Sequence, residues 1–423
     1  MNNRDPFVYK TSDYGKTWKA ITGGIPRGML SYAHCVREDP VRRGLLYLGA
    51  ENALYVSFDD GENWQPLQSN LPHAPVYWIV IQESFNDLVV ATYGRGFWIL
   101  DDLTPLQQMT KSVLDANAYL FAPRPAYRFR GATVPFSQSD DPTAGQNPPY
   151  GASINYYLKA APKSEVKIRI EDAEGKTVRT FTGSKNAGLN RISWDLQGEP
   201  SKEVRLRTSP AYAPEIRVGP EGWRPAPGAG RISLLLPPGT YAVKLTVDGQ
   251  EVSQPLVVRK DPHSSGSEAE IKAQMEMLTD LRKDLESAAE MVNQIEIIRS
   301  QLDSIRSLLV SGAASQPIKT AADDLDQKLI EVEDNLIQRK LTGSGQDGVR
   351  WPTKLISKIN YLAGGLSSSD FGPTTQQREV HAQFKEQLAA LRKRLDEVMS
   401  KQFRAFNELL RELGIQNIIT RTQ

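Results

Sequence analysis

The chain has 423 residues, of which 39% are hydrophobic and 24% charged, with a formal net charge of +1. That length is too great for one ordinary domain, and two to four are expected. The near-zero balance gives no overall electrostatic case for nucleic acid or an anionic membrane, and 21 Lys+Arg against 23 Asp+Glu over residues 264–423 removes that role from the C-terminal region as well.

No run approaches the roughly 18 consecutive apolar residues that a membrane span requires. The opening MNNRDPFVYKTSDYGKTW has neither a basic region nor an apolar core, so it does not read as a signal peptide. The lone Cys35, in the alternating SYAHCVRE, cannot form an intrachain disulfide and reads as a buried strand residue.

Taken in chain order, the first pattern is Thr11-x-Asp13-x-Gly15-x-Thr17-Trp18. It recurs 46 residues on as Ser57-x-Asp59-x-Gly61-x-Asn63-Trp64, after the hairpin-like GLLYLGAENALYVSF. A degraded copy, LVVATYGRGFWILDDL, puts Asp102 a further 43 residues along, with Trp98 where Tyr55 stood. Spacings of this size are those of propeller blades. The signature is turn chemistry: the Asp side chain accepts from backbone N–H groups just ahead, Gly supplies a positive φ, and the Trp folds back onto the hairpin. Asp13 and Asp59 are therefore expected to close hairpins.

These residues resemble the Asp-box, or BNR, repeat of sialidase-like and sortilin-like propellers. Residues 44–76 followed by 88–106 look more specifically like the last blades of large bacterial proteins often labelled BNR-repeat glycosyl hydrolases or sortilin-related proteins. The resemblance implies a secreted, periplasmic or cell-envelope location and Asp boxes on the face opposite the ligand site. Glu51, Asn52, Tyr93, Gly94 and Arg95 are then expected on the ligand face, with Arg27 and His73 on interblade loops. Arg95, between two glycines, serves either a ligand or a buried link to a neighbouring blade. Three blades cannot close a ring, so the missing blades are expected from the same parent chain or from another chain.

Thr104-Pro105 reads as an N-cap followed by Pro at the first helical position. Residues 1–130 are thus assigned to the C-terminal blades, and 131–150, rich in Pro, Gly and Ser, to a linker. From 151 to 262 short alternating segments, among them SINYYLK, VKIRIEDAEGKTVRTF, NRISWDL and RISLLLPPGTYAVKLTVDGQEV, argue an antiparallel sandwich. DAEGKTVRTF, NRISWDL and LPPGTYAVKL resemble the Ig-like fold of the FlgD type, with Trp194 in the core. The insertion 199–230 is either a lid or a long loop.

From 264 to 423 the period changes. Ile271, Leu278, Leu285 and Val292 recur every seven residues and interleave with Leu281, Ala288, Ile295, Leu302 and Leu309. With helices over about 318–341, 354–362 and from Thr374, where Gln377 completes a capping box, the region is expected to form an antiparallel bundle or a helical hairpin pair. The expected fold class is multidomain: a partial β-propeller of about the last three blades, an Ig-like β-sandwich and an α-helical bundle.

Gly343-Ser344-Gly345-Gln346-Asp347-Gly348 matches a dinucleotide fingerprint by letter but lies between helices instead of in a βαβ unit. His34, His73, His263 and His381 lack zinc-ligand spacing, and nothing calls for a metal or cofactor. Glu51, Glu38, Asp39 and Glu83 offer carboxylates, but no catalytic pair can be assembled from them. The favoured expectation is a glycan- or peptide-binding scaffold. The alternative is a glycoside hydrolase of the tandem-propeller type, similar to xyloglucanases, with its catalytic carboxylates on missing blades.

Overall fold

The computed structural model describes residues 3–130, 145–308, 316–345 and 347–420. Part of the expected linker, Leu309 and Gln346 fall outside them. The chain forms several β-sheets and a C-terminal helical region. It divides into two compact units: the described residues of Met1–Tyr127, Pro135–Asp195 and Gly239–Arg259, and the remainder.

The first unit opens with a two-stranded hairpin, β1 (Tyr9–Lys10) and β2 (Lys19–Ala20). A four-stranded antiparallel meander follows: β3 (Ala33–Glu38), β4 (Leu46–Ala50), β5 (Leu54–Ser57) and β6 (Gln65–Pro66). A three-stranded meander comes next, of β7 (Val76–Gln82), β8 (Asp87–Thr92) and β9 (Phe97–Leu100).

Both faces of the four-stranded sheet are apolar because both are covered. Leu46, Leu48, Ala50, Tyr55 and Trp64 pack with Val8, Ile21 and Ile25 from the first hairpin region. Leu45, Tyr47, Leu54 and Val56 pack with Val76, Ile79, Leu88 and Val90 of the three-stranded sheet. Gly49 makes the second contact possible: a Cβ there would lie 2.5 Å from the Val76 carbonyl oxygen and 2.9 Å from Cys35 Sγ. Cys35 itself is only partly buried, and burial pushes its thiol pKa up.

After β9 the chain turns through α1 (Thr104–Gln108) and α2 (Lys111–Asp115). The N-cap of α1 is Leu103, one residue earlier than expected, because Asp102 takes over the capping role and accepts from the Thr104 N–H at 3.2 Å.

Two antiparallel sheets complete this unit. One has the order β10 (Ala118–Leu120), β12 and β15; the other runs β11 (Ala126–Arg128), β19, β18, β13 and β14. Here β12 is Ala152–Leu158, β13 Val166–Glu171, β14 Thr177–Gly183 and β15 Gly188–Trp194. The chain then departs through β16 (Arg205–Leu206) and β17 (Arg224–Pro225), returning as β18 (Gly239–Val247) and β19 (Gln250–Lys260). Fully buried Trp194 of one sheet meets Tyr241 of the other edge-on at 5.5 Å.

Two expected boundaries change. Residues 118–128, assigned with the blades, pair instead into the two later sheets. Pairing with β12 and β19 satisfies the backbone groups of this segment.

The insertion 199–230 also lies outside the two sheets. Leu196–Pro238 belongs to the helical unit, and RISLLL forms no strand beyond one bridge, Gln197 to Leu235. Val204 and Leu206 are buried there. The neighbouring N–H groups of Arg205, Arg207 and Thr208 find side-chain acceptors on a helix: Asn293 for the first, Glu296 for the other two.

The second unit is built on α3 (Glu268–Leu308), which packs with α4 (Gln316–Leu336), α6 (Leu355–Leu366) and α7 (Thr375–Val398). Short α5 (Asp347–Arg350) precedes α6. A π-helical turn, Met399–Phe403, leads from α7 into α8 (Arg404–Glu412). Thr374 and Gln377 form the reciprocal capping box. The heptad positions Ile271, Leu278, Leu285 and Val292 are buried.

Inside this apolar core Arg299 bonds Glu296 (2.8 Å), Asp326 (2.9 Å) and Glu333 (3.0 Å). Complete burial raises the pKa of Glu333 well above the usual carboxylate value. No helix among the described residues is long and apolar enough to cross a membrane.

Candidate functional site

Both Asp turns show the expected local bonds. The Asp13 carboxylate accepts from the Thr17 N–H at 2.8 Å, and Asp59 from the Asn63 N–H at 2.9 Å. Thr11 and Ser57 hydroxyls accept from the N–H groups of Gly15 and Gly61, whose φ values are +87° and +89°. The tryptophans differ. Trp18 donates to its own Gly15 carbonyl, whereas Trp64 donates to Ile21 of the preceding hairpin.

The degraded copy departs further. Asp102 closes no such turn; it is buried, and accepts from Asn155 at 2.9 Å. The Trp of that copy, Trp98, donates to the Arg95 carbonyl within the β8–β9 turn.

At the other end of the two stacked sheets several candidates come together. The first strand of each sheet carries a β-bulge at the matching position. Ala33 pairs with Ala50 and Cys35 with Gly49, so His34 is the extra residue; Val76 pairs with Thr92 and Trp78 with Ala91, so Tyr77 is the extra residue. A bulge re-aims its side chain and interrupts the ladder. The two re-aimed rings meet, with centroids 4.3 Å apart.

Tyr32 lies edge-on to His34 at 4.9 Å and Tyr93 edge-on to Tyr77 at 5.8 Å, making a row of four rings. Tyr77 and Tyr93 are 47% and 71% exposed, so that end of the row is open to a ligand.

Glu51, in the β4–β5 turn, anchors the other, partly buried end. Its Oε2 lies 2.8 Å from His34 Nε2. Burial acts to raise its pKa, but hydrogen bonds from His34 and Tyr32 outweigh that and hold the carboxyl below its ordinary value. The same bond to Glu51, aided by burial, pushes the Tyr32 hydroxyl pKa up. The group therefore presents an ionised acceptor behind an aromatic row.

Asn52 turns its carbonyl to His73 Nδ1 at 3.0 Å. Arg95 is exposed, and its guanidinium bonds the adjacent Gly94 carbonyl at 3.1 Å. Arg27 is exposed and has no hydrogen bond or ion pair to this group among the described residues. His34, Tyr32 and Tyr77 were not singled out from sequence as site residues. The signal available was the 43-residue offset from His34 to Tyr77, the same as from Asp59 to Asp102.

Among the described residues no group of three or more His, Cys, Asp or Glu is arranged to hold a metal ion. A proton donor to a glycosidic oxygen needs a raised carboxyl pKa, and Glu51 is shifted the other way.

No protein-family model matches the chain, and no curated protein matches it. A search of solved structures finds similarity to the extracellular domain of a putative hybrid two-component system from B. thetaiotaomicron. The identity is 13% and the TM-score 0.18, over 61% of this chain and 29% of that one. The chain thus spans less than a third of that neighbour's length, and at this TM-score the likeness carries no argument.

Proposed function

We propose that this chain is a glycan- or peptide-binding module whose ligand lies along Tyr93, Tyr77 and His34 with Glu51 at its end. The paired bulges carry this reading. Two adjacent sheets each interrupt their first ladder at the same place, and the two extra residues build one aromatic row over an ionised carboxylate. Aromatic faces suit sugar rings and apolar or cationic peptide side chains, and Glu51 supplies an acceptor for a hydroxyl or ammonium group.

The stacked meanders are the last blades of an Asp-box propeller, the two later sheets an Ig-like sandwich of the FlgD type, and the helical region an antiparallel bundle. The three-stranded meander supports the first of these assignments. Its far face, Trp78, Val80, Phe97 and Ile99, is exposed, and in register it corresponds to the face that the four-stranded meander buries against the three-stranded one. Further blades, from the same parent chain or another, would cover it. A secreted or cell-envelope location goes with that family.

The hydrolase alternative finds less support, because Glu51 is poorly suited to donate a proton. Glycan and peptide arrays probed with the chain, followed by titration of the best ligand, test the proposal. Tyr93→Ala and Tyr77→Ala should each weaken binding about tenfold or more, a loss of about 1.4 kcal/mol. Unchanged affinity in the Tyr77→Ala/Tyr93→Ala double variant overturns it.

A further inference from the structure

The helical unit carries a cleft of ≈ 460 Å³ lined by Lys202, Glu203, Arg205, Arg207, Arg231 and Asn293, together with Pro200 and Ile297. That volume lies within the range of small-molecule sites. Its lining holds four cations and one carboxylate, and even with Glu290 paired to Lys202 beside it the cleft keeps a net positive charge in a chain whose formal net charge is +1.

The basic character follows from a strand-like alternation in Glu-Val-Arg-Leu-Arg. Val204 and Leu206 turn into the unit and are buried, which leaves Glu203, Arg205 and Arg207 to the other side. The backbone behind them is held at both ends. Asn293 Oδ1 accepts from the Arg205 N–H at 2.8 Å and Asn293 Nδ2 donates to the Glu203 carbonyl at 3.0 Å. Glu296 accepts from the N–H groups of Arg207 and Thr208, and is in turn bonded to Arg299 in the helical core.

The cationic heads differ in what compensates them. Lys202 pairs with Glu290, and Arg205 pairs with Glu203 at 3.5 Å while its guanidinium lies 4.5 Å from the Trp223 ring centroid. Arg207 and Arg231 have no carboxylate partner among the described residues. Arg207 donates to the Gly222 carbonyl at 3.4 Å, and Arg231 donates through Nε to the Ser201 carbonyl at 2.8 Å. Backbone carbonyls orient these two guanidinium groups without neutralising them, so the planar forks keep their full charge for an oxyanion.

We propose that this cleft is a binding site for a compact ligand carrying at least two oxyanion groups, sulfate or phosphate esters, held by Arg207 and Arg231 with Arg205 and Lys202 at the rim. It is independent of the aromatic row.

Calorimetric titration of the full chain with three probes tests it: a disulfated disaccharide, the same disaccharide without sulfate, and inorganic pyrophosphate. At least one anionic probe should bind, with affinity falling as salt rises, and the neutral sugar should not. Tighter binding of the disaccharide identifies a sulfated glycan as the source, and tighter binding of pyrophosphate a phosphoryl compound.

Arg207→Gln should weaken the anionic probe at least tenfold and Arg207→Gln/Arg231→Gln further, whereas Lys16→Gln, which removes one charge from an exposed turn elsewhere, should leave it unchanged. Arg207→Gln alone keeps the test sound if loss of the Arg231 bond to Ser201 disturbs folding. Failure of both anions to bind, equal binding of the neutral sugar, or an equal loss with Lys16→Gln overturns the proposal.

Discussion

The two Asp-turn hairpins have nearly the same residues and the same internal bonds, yet their tryptophans lead different lives. Trp64 is 3% exposed and reaches across to Ile21, whereas Trp18 is 61% exposed and bonds within its own turn. The turn is a local matter, decided by Asp, Gly and a hydroxyl within five residues of one another. Burial of the ring is a matter of having a neighbour: the four-stranded sheet has a hairpin stacked on its Trp64 face, while no such element covers the Trp18 side among the described residues.

The contrast can be tested from its largest consequence down. Trp64→Ala should cost about 3–5 kcal/mol in denaturant unfolding, the range for removing a buried aromatic, against less than about 1 kcal/mol for Trp18→Ala. Equal losses would mean that stacking is not what distinguishes the hairpins.

Gly49→Ala attacks the stacking itself by forcing a methyl against the Val76 carbonyl. It should cost about 1–3 kcal/mol and loosen the row of rings, read as reduced hydrogen-exchange protection in β3 and β7. A stable variant with unchanged protection would show that the two sheets can separate at no cost.

The smallest effect concerns pH. Hydrogen bonds from the backbone and side chain of Thr17 lower the Asp13 pKa. For Asp59 burial acts to raise it, but the Asn63 side chain and N–H outweigh that and lower it too. A lowered folded-state value stabilises the fold above the ordinary carboxylate value near 3.8 and loses that contribution as pH falls through the folded value. Both turns should therefore loosen together below about pH 4, seen as faster exchange at the Thr17 and Asn63 amides. Asp13→Asn and Asp59→Asn should flatten the response in their own turn only.

The helical unit shows the same division between local and distant causes. The heptad stripe from Ile271 to Val292 and the capping box at Thr374 were legible as sequence, because helix periodicity and caps act within a few residues. The attachment of Glu203–Thr208 to Asn293 and Glu296 was not, since those partners lie about 90 positions away. The loop's own Pro- and Gly-rich composition said only that it was irregular.

What the sequence determined by itself was therefore the set of short-range devices: the Asp turns, the alternating strands, the helical stripes and the rough order of all-β before all-α. The tertiary structure alone decided that residues 118–128 pair with later strands and that 196–238 join the helical unit. It also decided that His34 and Tyr77, 43 residues apart, become neighbours over Glu51. A bulge is invisible to a pattern of period two, because it appears only when one strand is paired with another. His34 and Tyr77, at the centre of the candidate site, are the two residues displaced from that period.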